Sequence, residues 1–221
     1  MPVRWVLFDL NGTLVDPAVL AQPLGDTPAA EELVQRALDA AIAQAMVTTL
    51  TGRHAEFATL IDAALWRELT LARLDPALTA PAMALLGSMP AFLEAPGALE
   101  RLRGEGMRLG VLTQSSTRAA EQVLRFAGLR DRLDLVLGAD EVGAFKPDPR
   151  VYEAALARTG AAADETCLVA AHWWDVTGAA RAGLRTGWVA RRERVLLSTV
   201  PEPDVSGRDL AEVAEGIVAL A

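Results

Sequence analysis

Reactive sulfur and imidazole are scarce in this sequence. Cys167 is its only cysteine, so no disulfide can form within the chain, and with two histidines a zinc site of His and Cys ligands is not expected. Long apolar runs are missing too. The amino-terminal MPVRWVLFDL is short and carries acidic Asp9, which is wrong for a signal peptide or a membrane span. Positive charge is in deficit: the formal net charge is -8. An acidic surface repels a nucleic-acid backbone and an anionic membrane, so neither is expected as a partner. It leaves open a small anion held in a local basic pocket. The cytoplasm is the expected compartment. Aromatic residues are lean at 5%.

What is present is a globular composition. With 221 residues, 52% hydrophobic and 23% charged, the chain can bury a sizeable core, as one domain or a core with a smaller insertion. Short apolar, β-branched runs recur at 4–10, 107–113, 133–138, 166–171 and 186–191. Their continuous apolarity predicts strands buried on both faces, as in a parallel sheet. Helix-period segments at 97–105, 117–127, 149–159, 174–183 and 208–220 follow them, which predicts an α/β fold with a Rossmann-like, doubly wound parallel sheet. About ninety residues after the first strand contain no convincing strand. Three helices are expected there, at 29–50, 56–74 and 75–89, the last opened by Asp75 as N-cap and Pro76 in the first turn. The organisation expected is a core of 1–15 and 93–221 with a helical cap domain of 16–92 inserted after the first strand. Such a cap lies over the carboxyl ends of the strands, where open α/β sheets bind ligands.

Those strand ends carry the candidate chemistry. VLFDLNGTLVD (6–16) runs from an apolar strand into Asp9, Asn11, Gly12 and Thr13. Aspartate at a strand end can be a nucleophile that splits a displacement into formation and hydrolysis of an acyl intermediate. Taken alone, D-x-N-G-T reads more readily as a turn. The second core strand ends in Thr113, Gln114, Ser115 and Ser116, groups able to bind an anion at a helix start, although Ser116 or Thr117 can equally be an N-cap. FKPDPRVY places Lys146 before a proline turn, where it can neutralise nearby carboxylates or stand as a surface group. AAHWWDVTGAARAGL carries Asp175 beside His172, Trp173 and Trp174, for which packing under the cap is the competing reading.

Asp9 to Thr13, Thr113, Lys146 and Asp175, in that order and at strand ends, resemble the four motifs of the haloacid dehalogenase superfamily. FKPDPRVYE, WDVTGAARAGLRTGWVAR and PEPDVSGRDLAEV are similar to its L-2-haloacid dehalogenase branch. The resemblance implies an HAD-like core with Asp9 as nucleophile, and it exposes several departures. Asn11 stands where superfamily phosphatases have a general acid, and Ala171 where they usually have an acidic residue that helps hold magnesium. Loss of the carboxylates weakens a site for a hard cation, and loss of the acid leaves a phosphate ester without its proton donor. A halide needs neither. The dehalogenases usually have tyrosine at the position of Asn11, serine at Ala170 and asparagine at His172. Their cap arginine aligns with Leu38 in a register anchored on GRHAEF (52–57). Arg36, Arg53 and Arg67 are alternative cap cations, although Arg36 points about 200° away from Leu38 on a helix.

The leading expectation is therefore a hydrolase of small anionic 2-haloacids that works without a cofactor through an aspartyl ester. Lys146 would keep Asp9 ionised, Thr13 and Thr113 would orient its oxygens, and Asp175 would hold Lys146 and help position the water. Asn11, Gln114, Tyr152, His172 and Trp174 are the expected substrate-facing residues, Trp174 as an apolar wall and His172 as a possible base for the water. The alternatives are a magnesium-dependent phosphatase of a small ester and a catalytically weakened member that binds a small acid. A homodimer is implied by the branch.

Overall fold

The computed structural model describes residues 2–25, 27–53 and 55–220. The terminal residues 1 and 221 of the expected core, and His54 of the GRHAEF anchor, lie outside them. Six strands form one parallel sheet in the order β3-β2-β1-β4-β5-β6. They are β1 (Trp5–Phe8), β2 (Arg108–Thr113), β3 (Leu135–Gly138), β4 (Thr166–Ala170), β5 (Arg185–Val189) and β6 (Val205–Gly207). All four residues of β1 and all five of β4 are buried. The continuous apolar runs follow from this, because helices cover both faces of a parallel sheet. The covering helices are α4 (Ala95–Gly104), α5 (Thr117–Phe126), α6 (Ala139–Val142), α7 (Pro149–Thr159), α8 (Trp173–Arg181) and α9 (Leu210–Val218).

The strand order places β1 at the centre, with β2 on one side and β4 on the other. Phe8 is in register with Val111 of β2 and Val169 of β4. The segments that follow these three strands therefore emerge at one level, at the switch point where doubly wound sheets open a crevice. β6 is the strand that the apolar runs do not predict. With three residues, set behind Pro201 and Pro203, it is too short to show a period, and it is recruited by pairing with β5 from Gly187 to Val205. α9 then lays Leu210, Val213, Ala214 and Ile217 on the sheet at helical spacing.

Between β1 and β2 the chain is helical. A 3-10 stretch (Pro17–Leu24) leads to α1 (Pro28–Leu50), α2 (Phe57–Leu71) and, after a turn capped by Asp75, α3 (Thr79–Ala84). The third expected helix is thus divided, each piece carrying a proline near its start, Pro76 and Pro81. Thr27 caps α1 by accepting from the Ala30 amide at 3.2 Å, and Pro28 occupies the first turn, where no amide donor is needed. The buried face of α1 is rich in alanine (Ala30, Ala37, Ala41 and Ala45, with Leu33, Val34 and Leu38). It packs on Leu60, Ile61, Ala64 and Leu65 of α2 in an apolar cluster of its own, joined by Ala139 and Phe145 from beside the sheet.

The two chain crossings between sheet and helices run side by side. The Asp16 amide donates to the Pro90 carbonyl at 2.8 Å and the Phe92 amide to the Leu14 carbonyl at 3.0 Å, around an antiparallel bridge between Val15 and Ala91. Arg191, just beyond β5, fastens both. Its Nη2 donates to the Thr13 carbonyl at 2.9 Å and to Glu94 at 2.6 Å, while the guanidinium lies 3.5 Å over the Phe92 ring.

Candidate active site

Asp9 follows β1 directly, and its side chain is 5% exposed. Gly12, three residues on, holds φ at +78°, a left-handed conformation open to glycine without steric cost. The turn brings Thr13 back so that its hydroxyl donates to Asp9 Oδ2 at 3.0 Å and accepts from the Ala171 amide at 3.0 Å. One threonine thus ties the loop after β1 to the loop after β4.

Lys146 is the only lysine in the sequence, and it is fully buried. All three donors of its ammonium are used: Asp9 Oδ1 at 2.8 Å, Asp175 Oδ2 at 2.5 Å and the Leu112 carbonyl at 2.8 Å. Gln114 places the lysine by clamping its backbone, with Nε2 donating to the Lys146 carbonyl and Oε1 accepting from the Lys146 amide, both at 2.9 Å. Asp175, in the first turn of α8, takes the Tyr152 hydroxyl on Oδ1 at 2.8 Å. His172, the N-cap position of α8, sets Nδ1 3.1 Å from Asp9 Oδ2 and stacks on Trp174 at 5.1 Å between ring centroids.

The electrostatics follow from that geometry. Burial works to raise the pKa of Asp9, but Lys146 and His172 outweigh it and hold the carboxyl well below the usual carboxylate range. Burial likewise opposes the charge on Lys146, and Asp175 and Asp9 overcome it, so the ammonium is retained. For His172, too, burial disfavours the charge, yet the bond to Asp9 raises its pKa above the ordinary value. Asp9 thus stands ionised between the Lys146 ammonium and a His172 ring whose protonated form it favours. Burial, reinforced by the Asp9 charge and opposed by Lys146, lifts Asp175 above its ordinary value. Burial also lifts the Tyr152 hydroxyl well above 10.0, so it stays a donor.

Several expectations change. Tyr152 does not face a substrate: it is fully buried and spends its hydroxyl on Asp175. Gln114 lines the cavity at Asp9, but both its polar atoms are committed to Lys146. Thr113 lines the same cavity and accepts from the Ser115 amide at 3.2 Å, while the Asp9 oxygens are held by Thr13, Lys146 and His172. His172 bonds Asp9 Oδ2, and that bond favours the protonated ring over the free base. Trp173 is 40% exposed and so is not core packing, whereas Trp174 is buried. Ser116 is the N-cap of α5, accepting from the Ala119 amide. Asn11 lines the cavity, and its Oδ1 is buried without a hydrogen-bond partner.

No arginine among the described residues of the helical layer reaches Asp9. Arg36 and Arg67 both pair with Glu68, at 3.1 and 2.8 Å, Arg53 lines none of the cavities around Asp9, and Leu38 sits in the cavity wall. The cations near the cavity come from the opposite side, after β5. Besides Arg191, Arg192 reaches Asp39 of α1 at 3.1 Å. The sequence gives little sign of this pair, since the segment after a fifth strand carries no motif spacing. The donor set does not fit a divalent cation. Asn11 and Ala171 supply no carboxylate, the Lys146 ammonium stands between Asp9 and Asp175, and no group of three His, Cys, Asp or Glu ligands gathers among the described residues.

The cavity over Asp9 is walled by Leu38, Ile42, Phe57 and Trp174, with Gln35 and His172 as polar neighbours. It leaves about 40 Å³ for the centre of a water-sized sphere. No described helix is long and apolar enough to cross a membrane.

Comparison with known proteins accords with this arrangement. Residues 3–183 match the family described as haloacid dehalogenase-like hydrolase. (S)-2-haloacid dehalogenase 1 from Pseudomonas sp. (strain CBS-3) is 31% identical over 191 residues, covering 84% of this chain and 83% of its own. An (S)-2-haloacid dehalogenase from Pseudomonas putida is 28% identical, covering 98% and 99% of the two chains. A solved L-2-haloacid dehalogenase superposes with a TM-score of 0.91 at 26% identity, over 99% of this chain and 100% of its own. An aspartate at the end of the central strand, a buried lysine bridging it to a second aspartate, and a family match over most of the sequence converge: this chain is an enzyme of the haloacid dehalogenase-like hydrolases.

Proposed function

We propose that the protein hydrolyses a small 2-haloacid through an ester on Asp9. The observation that carries this reading is the environment of Asp9, a buried carboxylate at the floor of a largely apolar cavity, held by a lysine, a histidine and one hydroxyl. Oδ2 receives both Thr13 and His172, while Oδ1 receives Lys146 alone. Oδ1 therefore keeps more lone-pair density for attack on the halogen-bearing carbon. Its electron pair forms the C–O bond as the carbon–halogen bond breaks, and halide departs with the bonding pair. Water then adds to the Asp9 carboxyl carbon and expels the 2-hydroxyacid, which restores the carboxylate. One halide and one proton are released per turnover.

The surrounding residues serve each half in turn. Lys146 and Thr13 fix the carboxylate, and Asp175 and Gln114 fix Lys146. Trp174, Leu38 and Phe57 exclude water from the first step. Esterification removes the negative charge that holds the proton on His172. Burial then favours the neutral ring, which can accept a proton from the attacking water. The residues 16–92 act in this reading as a cap domain over the strand ends. The names of the relatives, such as an (S)-2-haloacid dehalogenase 31% identical over 84% of this chain, support the substrate class. Composition supports a cytoplasmic setting, and the branch resemblance a homodimer.

Halide release from (S)-2-chloropropionate is the test, run with and without a strong chelator. The expected result is turnover that persists in chelator and is lost in Asp9→Asn. Full turnover by Asp9→Asn would refute the covalent route, and halide release abolished by chelator would refute the metal-free one.

A further inference from the structure

The cavity over Asp9 does not end at its walls. A second space, with about 340 Å³ for the centre of a water-sized sphere, adjoins it and shares Gly12, Gln35, Ile42, His172 and Trp174 with it. α1 is the rail that both follow. Leu38 and Ile42 face the inner cavity, and Ile42, Ala43 and Met46 face the outer one. At 1.5 Å per residue the path from Leu38 to Met46 is about 12 Å long.

The outer space meets the inner one at Ile42 and Trp174, with Gln35 and His172 beside them, and it is also lined by charged side chains. Ile42, Ala43, Met46 and the two tryptophans supply carbon surface. The charges beside them are already satisfied, Arg192 with Asp39 at 3.1 Å and Glu193 as acceptor of the Trp173 amide at 2.9 Å. That second bond holds the first residue of α8, Trp173, which is 40% exposed. A large aromatic and a deformable methionine lining one cavity make a surface suited to hydrocarbon. A second anion would find its cation taken. The inner cavity alone is tight even for a short acid, while the joined space falls in the range of sites that take whole small molecules.

We propose that the outer cavity receives the hydrocarbon tail of the substrate, so that the enzyme acts on 2-haloacids with extended alkyl or aryl-alkyl chains in preference to the shortest ones. This rests on the dehalogenase reading and goes further by naming the part of the substrate class. The reacting carbon lies at Asp9, and the chain leaves between Ile42 and Trp174 towards Met46 and Trp173.

The experiment is a series of (S)-2-chloro acids from propionate to octanoate, with kcat/KM measured by halide release. Each methylene that leaves water should raise kcat/KM about fourfold until the outer cavity is filled. Ala43→Trp, on an exposed position of α1, should lower the octanoate-to-propionate ratio about tenfold or more, and Met46→Trp should move it in the same direction. A flat or falling series with propionate still turned over would overturn the proposal and leave the dehalogenase reading standing. So would a ratio unchanged in both folded variants. If no 2-haloacid of any length releases halide, the dehalogenase reading itself fails and the proposal falls with it.

Discussion

Replacing His172 with phenylalanine isolates the bond between its imidazolium and Asp9. The phenyl ring keeps a partner for Trp174, which stacks on the imidazole at 5.1 Å with the planes 20° apart, while the donor to Asp9 Oδ2 disappears. Both groups are nearly shielded from solvent, with side chains 19% and 5% exposed, so screening removes little of the interaction. A hydrogen bond between charged partners in such a setting contributes about 1.5–3 kcal/mol. The His172 pKa is raised in the folded state from 6.5, so over a window that opens near that value the folded protein binds a proton the unfolded chain has released. Its contribution is therefore complete below about pH 6 and is lost as pH rises through the folded-state pKa. Asp9, whose pKa is lowered, stays ionised throughout that window; its own contribution is lost only on acidification below the ordinary value of 3.8. Urea unfolding of both proteins between about pH 5.5 and pH 9 measures the difference. The wild type should be more stable by about 1.5–3 kcal/mol at the acid end, and the gap should narrow with rising pH. A gap that is constant, or that widens towards alkali, would show that His172 does not hold its proton against Asp9.

Two further substitutions test the rest of the network. Lys146→Met leaves Asp9 and Asp175 buried without their shared cation, so it should cost about 3–5 kcal/mol in thermal or urea unfolding; a loss below about 1 kcal/mol would contradict the burial of the ammonium. Any residual halide release in that variant should shift to higher pH, because burial then acts on Asp9 with only His172 and Thr13 to oppose it. Tyr152→Phe removes one donor from Asp175 in the interior. It should cost about 1–3 kcal/mol in stability and lower kcat with little change in KM, since the hydroxyl touches Asp175 and not the cavity; a KM effect alone would restore Tyr152 as a substrate contact.

Much of the architecture was legible because it depends on periods. Strands buried on both faces read as unbroken apolar runs, and α5 and α7 begin where their caps and first-turn proline indicate. β6 was not legible, because three residues between prolines and a turn carry no period. The motif residues were legible as positions but not as directions. Sequence places Tyr152 in the first turns of α7; that this face turns inward to Asp175 depends on how α7 packs on α8. Gln114 reads as a polar group at a strand end, and only the neighbouring loop shows that its amide pairs with a backbone. Lys146 carried a stronger signal than its motif, as the sole lysine in an arginine-rich chain. Arg191 and Arg192 carried none, since their partners lie on segments far away in sequence.

Arg191 also bears on how the helical layer can move. The outgoing and returning segments are laced together by the Asp16 and Phe92 amides, and one guanidinium grips the pair at Thr13, Glu94 and Phe92. Two separate tethers would let the helices slide and twist freely over the sheet. The laced pair resists that beside Thr13, and α1 is fastened to the core at two further places: Arg192 pairs with Asp39 at 3.1 Å and the Phe145 amide donates to Thr49 Oγ1 at 3.0 Å. The wall of the cavity that α1 supplies is thus anchored on both sides of the nucleophile, so the spacing between Leu38 and Asp9 is set by the core as much as by the helices.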